Sequence, residues 1–267
     1  FMAARVIAVA NQKGGVGKTT TAINLAASLA LAERRVLAVD VDPQANLTSG
    51  IGLKGQSSSQ GTVYEALTAK TIPDFSGFVL QTTVRGLSVV PAERNLTGAE
   101  LEMVSLENRE KRLRSLVKQL VGQYDYVFID TPPSLGLLTL NGLVAADTVL
   151  IPMISEYFAL EGLAELVSTL QRVRASLNPG LDIEGVLLTM HDDRTNLSQQ
   201  VSREVRERFK AKVFNTVIPR NVRLAEAPSH GLPAILYDKK SRGAQAYISL
   251  AKEILNKDSS TLRDTND

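Results

Sequence analysis

The segment Lys13-Gly14-Gly15-Val16-Gly17-Lys18-Thr19-Thr20 gathers two amines, three glycines and two hydroxyls in eight consecutive residues. That composition suits a phosphate cradle. Glycines let the backbone curl until successive N–H groups face an anion, and a helix starting near Lys18 adds the positive end of its dipole. In such a loop Lys18 reaches the β- and γ-phosphates, and the Thr19 hydroxyl ligates Mg²⁺. The spacing departs from G-x-x-x-x-G-K-[ST] at its first position, where Gln12 stands, and it carries a second lysine, Lys13.

Carboxylates supply the remaining chemistry. The run Val36-Leu37-Ala38-Val39-Asp40 leads into Val41-Asp42-Pro43-Gln44-Ala45-Asn46, and Tyr126-Val127-Phe128-Ile129 ends at Asp130. A carboxylate at the C-terminal edge of a parallel strand sits where ligands bind, and Pro43 turns the chain out of the sheet. Asp130 fits the strand-end aspartate that holds a water of a Mg²⁺ shell.

The elements that must position these groups are readable from periodicity. Apolar runs at 6–10, 36–40, 87–91, 126–130, 148–152, 184–189 and 213–218 are continuous rather than alternating, which predicts strands covered on both faces. Helical patterns fill 18–33, 108–122, 160–177, 197–209 and 242–256 between them. The alternation predicts a doubly wound α/β fold with a mostly parallel sheet and helices on both faces. No linker divides the chain: Gly52–Gly61 is a surface loop, and 1–267 reads as one domain with a polar, frayed tail over 258–267.

Composition narrows the chemistry further. The 267 residues contain no cysteine and two histidines, His191 and His230, which excludes disulfides, iron–sulfur clusters, thiolate zinc and a cysteine nucleophile. No apolar run is long enough to span a bilayer, no signal peptide precedes the first strand, and Phe1 ahead of Met2 reads as an addition. A cytosolic setting is expected. The net charge of +2 conceals an asymmetry: residues 194–257 hold 13 Lys/Arg and 5 Asp/Glu (+8), leaving 17 against 23 (−6) elsewhere. A basic C-terminal third fits either a solvated face or a polyanion partner.

At the Lys13–Thr20 loop the chain resembles the ParA/MinD superfamily of deviant Walker A P-loop ATPases. Asp130-Thr131-Pro132-Pro133-Ser134-Leu135-Gly136, Glu156-Tyr157-Phe158-Ala159-Leu160-Glu161-Gly162 and Val217-Ile218-Pro219-Arg220-Asn221-Val222-Arg223 look most like its chromosomal Soj/ParA partition branch. That resemblance, running from about Arg5 to Asn256, implies roles for particular residues. Lys13 would reach across an ATP-sandwich homodimer to the partner's phosphates. Asp42 would orient the attacking water and join Thr19 and Asp130 around Mg²⁺, while Asp40 would support the ion's waters. Pro219 would pack on adenine and Asn221 would bond its edge. Arg194 and Arg223 would bind double-stranded DNA without sequence preference, and Lys210, Lys212, Lys239, Lys240 and Arg242 would widen that patch.

The same resemblance implies slow hydrolysis, since the chain has no evident arginine finger, with a ParB-type centromere-binding partner accelerating it on the nucleoid. Two other branches give alternatives: a MinD-like membrane-cycling regulator of division-site placement, and a metabolic ligase that phosphorylates a small carboxylate. The polar Asp258-Ser259-Ser260 segment is a poor lipid anchor, so no membrane partner is expected.

Overall fold

The computed structural model describes residues 3–156, 159–192 and 194–264, with side chains described as far as Asp258. Phe1, Met2, Tyr157 and Phe158, named above, lie outside the described residues, as does the end of the expected tail. Strands β1 (Arg5–Val9), β2 (Val36–Asp40), β3 (Leu80–Gln81), β4 (Leu87–Val90), β5 (Tyr126–Asp130), β6 (Thr148–Ile154) and β7 (Asp182–Thr189) form one sheet in the order β3-β4-β2-β5-β1-β6-β7. All neighbours are parallel except β3 and β4. The doubly wound α/β expectation therefore holds, with one short antiparallel strand at the edge that carries no periodic signal.

Continuous apolar strands need cover on both faces, and two apolar layers supply it. One layer sets Val6, Ala8, Leu37 and Val127 against α3 (Val63–Thr68), α4 (Leu96–Glu102), α5 (Arg112–Val117), α6 (Leu137–Ala145) and α7 (Ala159–Ser176). The other sets Ile7, Val9, Ala38 and Phe128 against α1 (Lys18–Leu31), α2 (Asn46–Gly50), α10 (Ala234–Tyr237) and α11 (Arg242–Asp264). Alternate residues of one strand feed opposite layers, as the period of two requires. The remaining helices, α8 (Asn196–Phe209) and α9 (Val222–Glu226), follow β7.

Three expectations differ from the structure. The run 213–218 is not a full strand: Val213 bridges Val186 and Pro219 bridges His191, but the amides of Asn215 and Thr216 donate to the Glu253 carboxylate on α11. A side chain takes the bonds that a ladder would have used. The helix expected over 108–122 is shorter than that span: Asn108 sits in the left-handed region (φ 51°), a 3₁₀ turn covers Arg109–Lys111, and α5 ends at Val117. The last helix runs on through Asp264, and Asp258 is anchored, bonding Arg5 and the Tyr126 hydroxyl at the base of the sheet.

Candidate nucleotide site

The loop 10–17 leaves β1 at the C-terminal edge of the sheet and delivers the chain into α1. Its turn depends on Gly15 (φ 71°) and Gly17 (φ 84°), a left-handed geometry that side chains resist. Gly17 caps α1 without a side chain, so the first-turn N–H groups stay open to an anion. Two flanking groups hold the loop's shape. Asn11 donates to the Pro152 carbonyl (2.8 Å) and accepts from the Lys13 amide (3.0 Å), while the Thr189 hydroxyl donates to the Val16 carbonyl (2.8 Å).

The two lysines behave differently. Lys18 is buried at 7% exposure, and its Nζ donates to the Lys13 carbonyl at 3.0 Å. Burial pulls its pKa below the ordinary lysine value, opposed by the charges of Asp130 and then Asp42. Lys13 instead turns outward, its half-exposed Nζ 2.7 Å from Glu156 Oε2.

Asp130 lies opposite, with no exposed surface. Its Oδ2 accepts from the Thr19 hydroxyl at 2.7 Å, and its Oδ1 has no hydrogen-bond partner among the described residues. Burial first, then the charge of Asp40, push its pKa well above the usual carboxylate range. A desolvated carboxylate with an orphan oxygen beside a hydroxyl is a site that a cation would stabilise. Thr19 and Asp130 therefore fit Mg²⁺. Among the described residues no cluster of three or more His, Cys, Asp or Glu forms a metal cage.

Asp40 departs from its expected role near the ion's waters. Its Oδ1 accepts from the Asp42 amide (3.1 Å), and its Oδ2 accepts from both the Thr48 amide (2.9 Å) and hydroxyl (2.7 Å). Desolvation raises its pKa to about 6 against those bonds. Asp40 thus pins α2 and the 41–47 loop beneath the site. The Thr48 hydroxyl also accepts from the Ala92 amide at 2.9 Å, tying α2 to the end of β4. Thr48→Val keeps the shape but strands a buried N–H and one carboxylate bond, so it should lower unfolding free energy by about 2 kcal/mol. Urea denaturation checks this, and Thr48→Ser should restore most of the loss; equal stability of Thr48→Val and wild type would refute the tie.

Asp42, two residues on from Asp40, is also buried but lies in the loop past β2. Its Oδ1 accepts from the Gln44 amide (2.9 Å), and its Oδ2 has no protein donor among the described residues.

Beside the loop opens a cavity of about 320 Å³, walled by Gly17, Thr20, Met190, Pro219, Asn221 and Tyr247, among others. Pro219 and Asn221 thus line the same cavity as Gly17 and Thr20 of the loop and first helical turn. Asn221 also caps α9, its Oδ1 accepting from the Arg223 amide at 3.1 Å. Sequence reasoning missed Tyr247, whose buried hydroxyl bonds the Thr21 hydroxyl at 3.0 Å, and Thr189, which backs the loop. Both lie far along the chain from the loop; Thr189 ends an apolar strand run and Tyr247 belongs to the apolar stripe of the last helix, where each reads as core.

Arg194 and Arg223, the two arginines assigned to DNA, are exposed but paired. Arg194 makes a bidentate contact with Asp192 (2.8 and 2.7 Å), and Arg223 bonds Glu226 (2.8 Å) and faces Asp238 (3.4 Å). Exposed pairs of this kind are worth about 0–1 kcal/mol, so either arginine can exchange its partner for a phosphate at little cost.

A parallel sheet with a glycine-turned loop, a buried lysine and a strand-end aspartate defines a P-loop nucleotide-binding protein. A family model described as an AAA domain matches residues 4–183. Chromosome partitioning protein ParA of Myxococcus xanthus is 56% identical over 254 residues, covering 95% of this chain and 89% of that protein. Sporulation initiation inhibitor protein Soj of Bacillus subtilis is 54% identical over 250 residues, covering 94% and 98%. Among solved structures, cobyrinic acid a,c-diamide synthase from Mycobacterium smegmatis with bound ADP and magnesium is 37% identical, with a TM-score of 0.83 and 97% and 96% coverage. The Pyrococcus furiosus cell division ATPase MinD is 26% identical, with a TM-score of 0.78 and 94% and 98% coverage. The chain belongs to the ParA/Soj family of chromosome-partitioning ATPases.

Proposed function

We propose that the protein is an ATP-switched, DNA-binding partition ATPase that hydrolyses ATP to ADP and phosphate. The observation that carries this reading is the division of labour between the two loop lysines: Lys18 is buried in its own phosphate cradle while Lys13 stands outside it in a half-exposed pair with Glu156, a contact weak enough to exchange for a second protomer's phosphates. Two such chains, face to face, would enclose two nucleotides. Thr19 and Asp130, with Asp42 nearby, would hold Mg²⁺, which when bound neutralises charge on the phosphate oxygens. Lys18 and the loop amides orient the γ-phosphate, Asp42 aligns the water, and Pro219 and Asn221 receive the base. Such a site works by positioning and charge neutralisation, so turnover is slow until a ParB-type partner completes it.

The dimer would bind duplex DNA through phosphate contacts from Arg194 and Arg223, which keeps it on the nucleoid without base readout. The MinD-like membrane reading is disfavoured by α11, whose apolar stripe of Tyr247, Leu250, Ala251 and Ile254 is buried in the core rather than free for lipid. No helix among the described residues is long and apolar enough to cross a membrane. The metabolic reading has a synthase among the structural neighbours at 37% identity, against partition proteins at 50–56%.

Arg223→Glu tests the reading. With ATP and Mg²⁺ the variant should dimerise like wild type in light scattering, yet lose DNA in a gel shift by at least tenfold in affinity. Unchanged DNA affinity would remove Arg223 from the interface.

A further inference from the structure

Thr189 closes β7 in register with Ile154 of β6, and its side chain is buried. Its hydroxyl oxygen lies 2.8 Å from the Val16 carbonyl and 3.1 Å from the Met153 carbonyl. Both neighbours are acceptors and the hydroxyl has one proton, which the nearer carbonyl, in the phosphate loop, draws more strongly. One side chain thus joins the rigid end of the sheet to the turn that enters α1.

The Val16 carbonyl lies ahead of the helix ladder. The Thr21 amide donates to the Gly17 carbonyl at 2.9 Å, one residue later, and Val16 itself is buried. A buried carbonyl turned toward no donor is costly, so the bond from Thr189 fixes which way this peptide faces. In a trans peptide the carbonyl and the following N–H point in opposite directions. Holding the Val16 oxygen on Thr189 therefore turns the Gly17 N–H away from β7. Gly17 (φ 84°) has no side chain to resist rotation of that peptide, so the bond from Thr189 is what opposes it.

The position of the hydroxyl is itself fixed from three sides. β-Branching restricts χ1 of Thr189, and the two side chains are close: a Cβ on Gly17 would stand 3.8 Å from Thr189 Cγ2. Met190, the next residue, adopts the left-handed conformation (φ 48°), so the chain leaves β7 abruptly and leaves the hydroxyl at the sheet edge. The His191 amide donates to the Ile218 carbonyl at 3.0 Å and holds the chain there.

We infer that Thr189 is a positioning residue for the phosphate loop: by holding the Val16 carbonyl, it aims the Gly17 amide at the nucleotide's phosphates. The inference rests on the nucleotide reading above. It extends that reading to a strand more than 170 residues away in sequence, through a side chain that touches the loop and no phosphate.

Thr189→Val keeps the shape and removes the proton. Affinities of the full chain for ATP and for inorganic tripolyphosphate, each with Mg²⁺, are measured by calorimetry. Both should fall by the same factor, about tenfold or more, the worth of one amide hydrogen bond to a charged phosphate. Thr189→Ser, which restores the hydroxyl, should recover most of that loss. In a proton–nitrogen correlation spectrum the Gly17 amide resonance should move on adding tripolyphosphate in wild type and hold still in Thr189→Val. A merely structural threonine would lower the unfolding midpoint and leave that resonance responsive, which overturns the inference. So does a Thr189→Val protein that binds both ligands within twofold of wild type, or one that loses ATP alone, since Thr189 then serves only as a wall of the base cavity. A Thr189→Ser protein as weak as Thr189→Val overturns it too. Wild type that binds neither ATP nor tripolyphosphate overturns the nucleotide reading itself.

Discussion

Lys18→Ala should lower ATP affinity by at least a hundredfold while leaving the chain folded. Lys18 is the amine buried within the loop, held by the Lys13 carbonyl and facing Asp130 and Asp42. Charge-assisted hydrogen bonds to phosphate are worth about 1.5–3 kcal/mol each, so losing two removes about 3–6 kcal/mol, a factor of a hundred or more. A second effect follows from Asp130, whose carboxylate would lose the charge that opposes its desolvation. Its pKa should rise further, and the Thr19–Asp130 hydrogen bond should persist with a protonated acid. Lys18→Met separates packing from charge, because it refills the space without the amine. Both variants should lose nucleotide in calorimetry and keep wild-type secondary structure by circular dichroism. If Lys18→Met binds ATP within threefold of wild type, the loop is not the phosphate site.

What the sequence made legible here is what local pattern encodes. Glycine spacing announced the turn at Gly15 and Gly17, and the strand-end positions of Asp40 and Asp130 announced the sheet edge, because those signals lie within a few residues of one another. The cavity beside the loop was half legible. Pro219 and Asn221 came from a recognisable segment, whereas Tyr247 reaches the site only through the packing of α11 on α1. Asp40 shows the limit most clearly. Two aspartates with one residue between them look equivalent in the sequence, yet β2 ends at Asp40, whose carboxylate is taken by Thr48, while Asp42 lies past the strand in the loop and bonds the Gln44 amide. The broken strand at 213–218 has the same origin, since Glu253, which takes its amides, is nearly forty residues away. The charge asymmetry was visible, but which arginines are already paired depends on Asp192, Glu226 and Asp238 in three dimensions.

Asp42→Ala should separate binding from turnover. The Asp42 backbone is fixed independently of its side chain, because its amide donates to Asp40 and the loop is pinned through Thr48. Removing the carboxylate therefore deletes one cap, to the Gln44 amide, without releasing α2. A group that positions or activates the attacking water contributes about 10²–10⁴-fold, so hydrolysis should fall by at least a hundredfold. Nucleotide affinity should hold within a few-fold, since removing a negative charge near the phosphates offsets any lost ion contact. An ATP-bound species that cannot turn over must accumulate, so light scattering should report a dimer, and DNA should be retained for longer than by wild type. Asp42→Asn sharpens the distinction, because its side-chain oxygen can still accept from Gln44 while its charge is gone. If the loop cap were what mattered, Asp42→Asn would turn over like wild type; if the carboxylate positions the water, it will be as slow as Asp42→Ala. An Asp42→Ala protein that remains monomeric with ATP and Mg²⁺ would refute the sandwich, and with it the role assigned to Lys13.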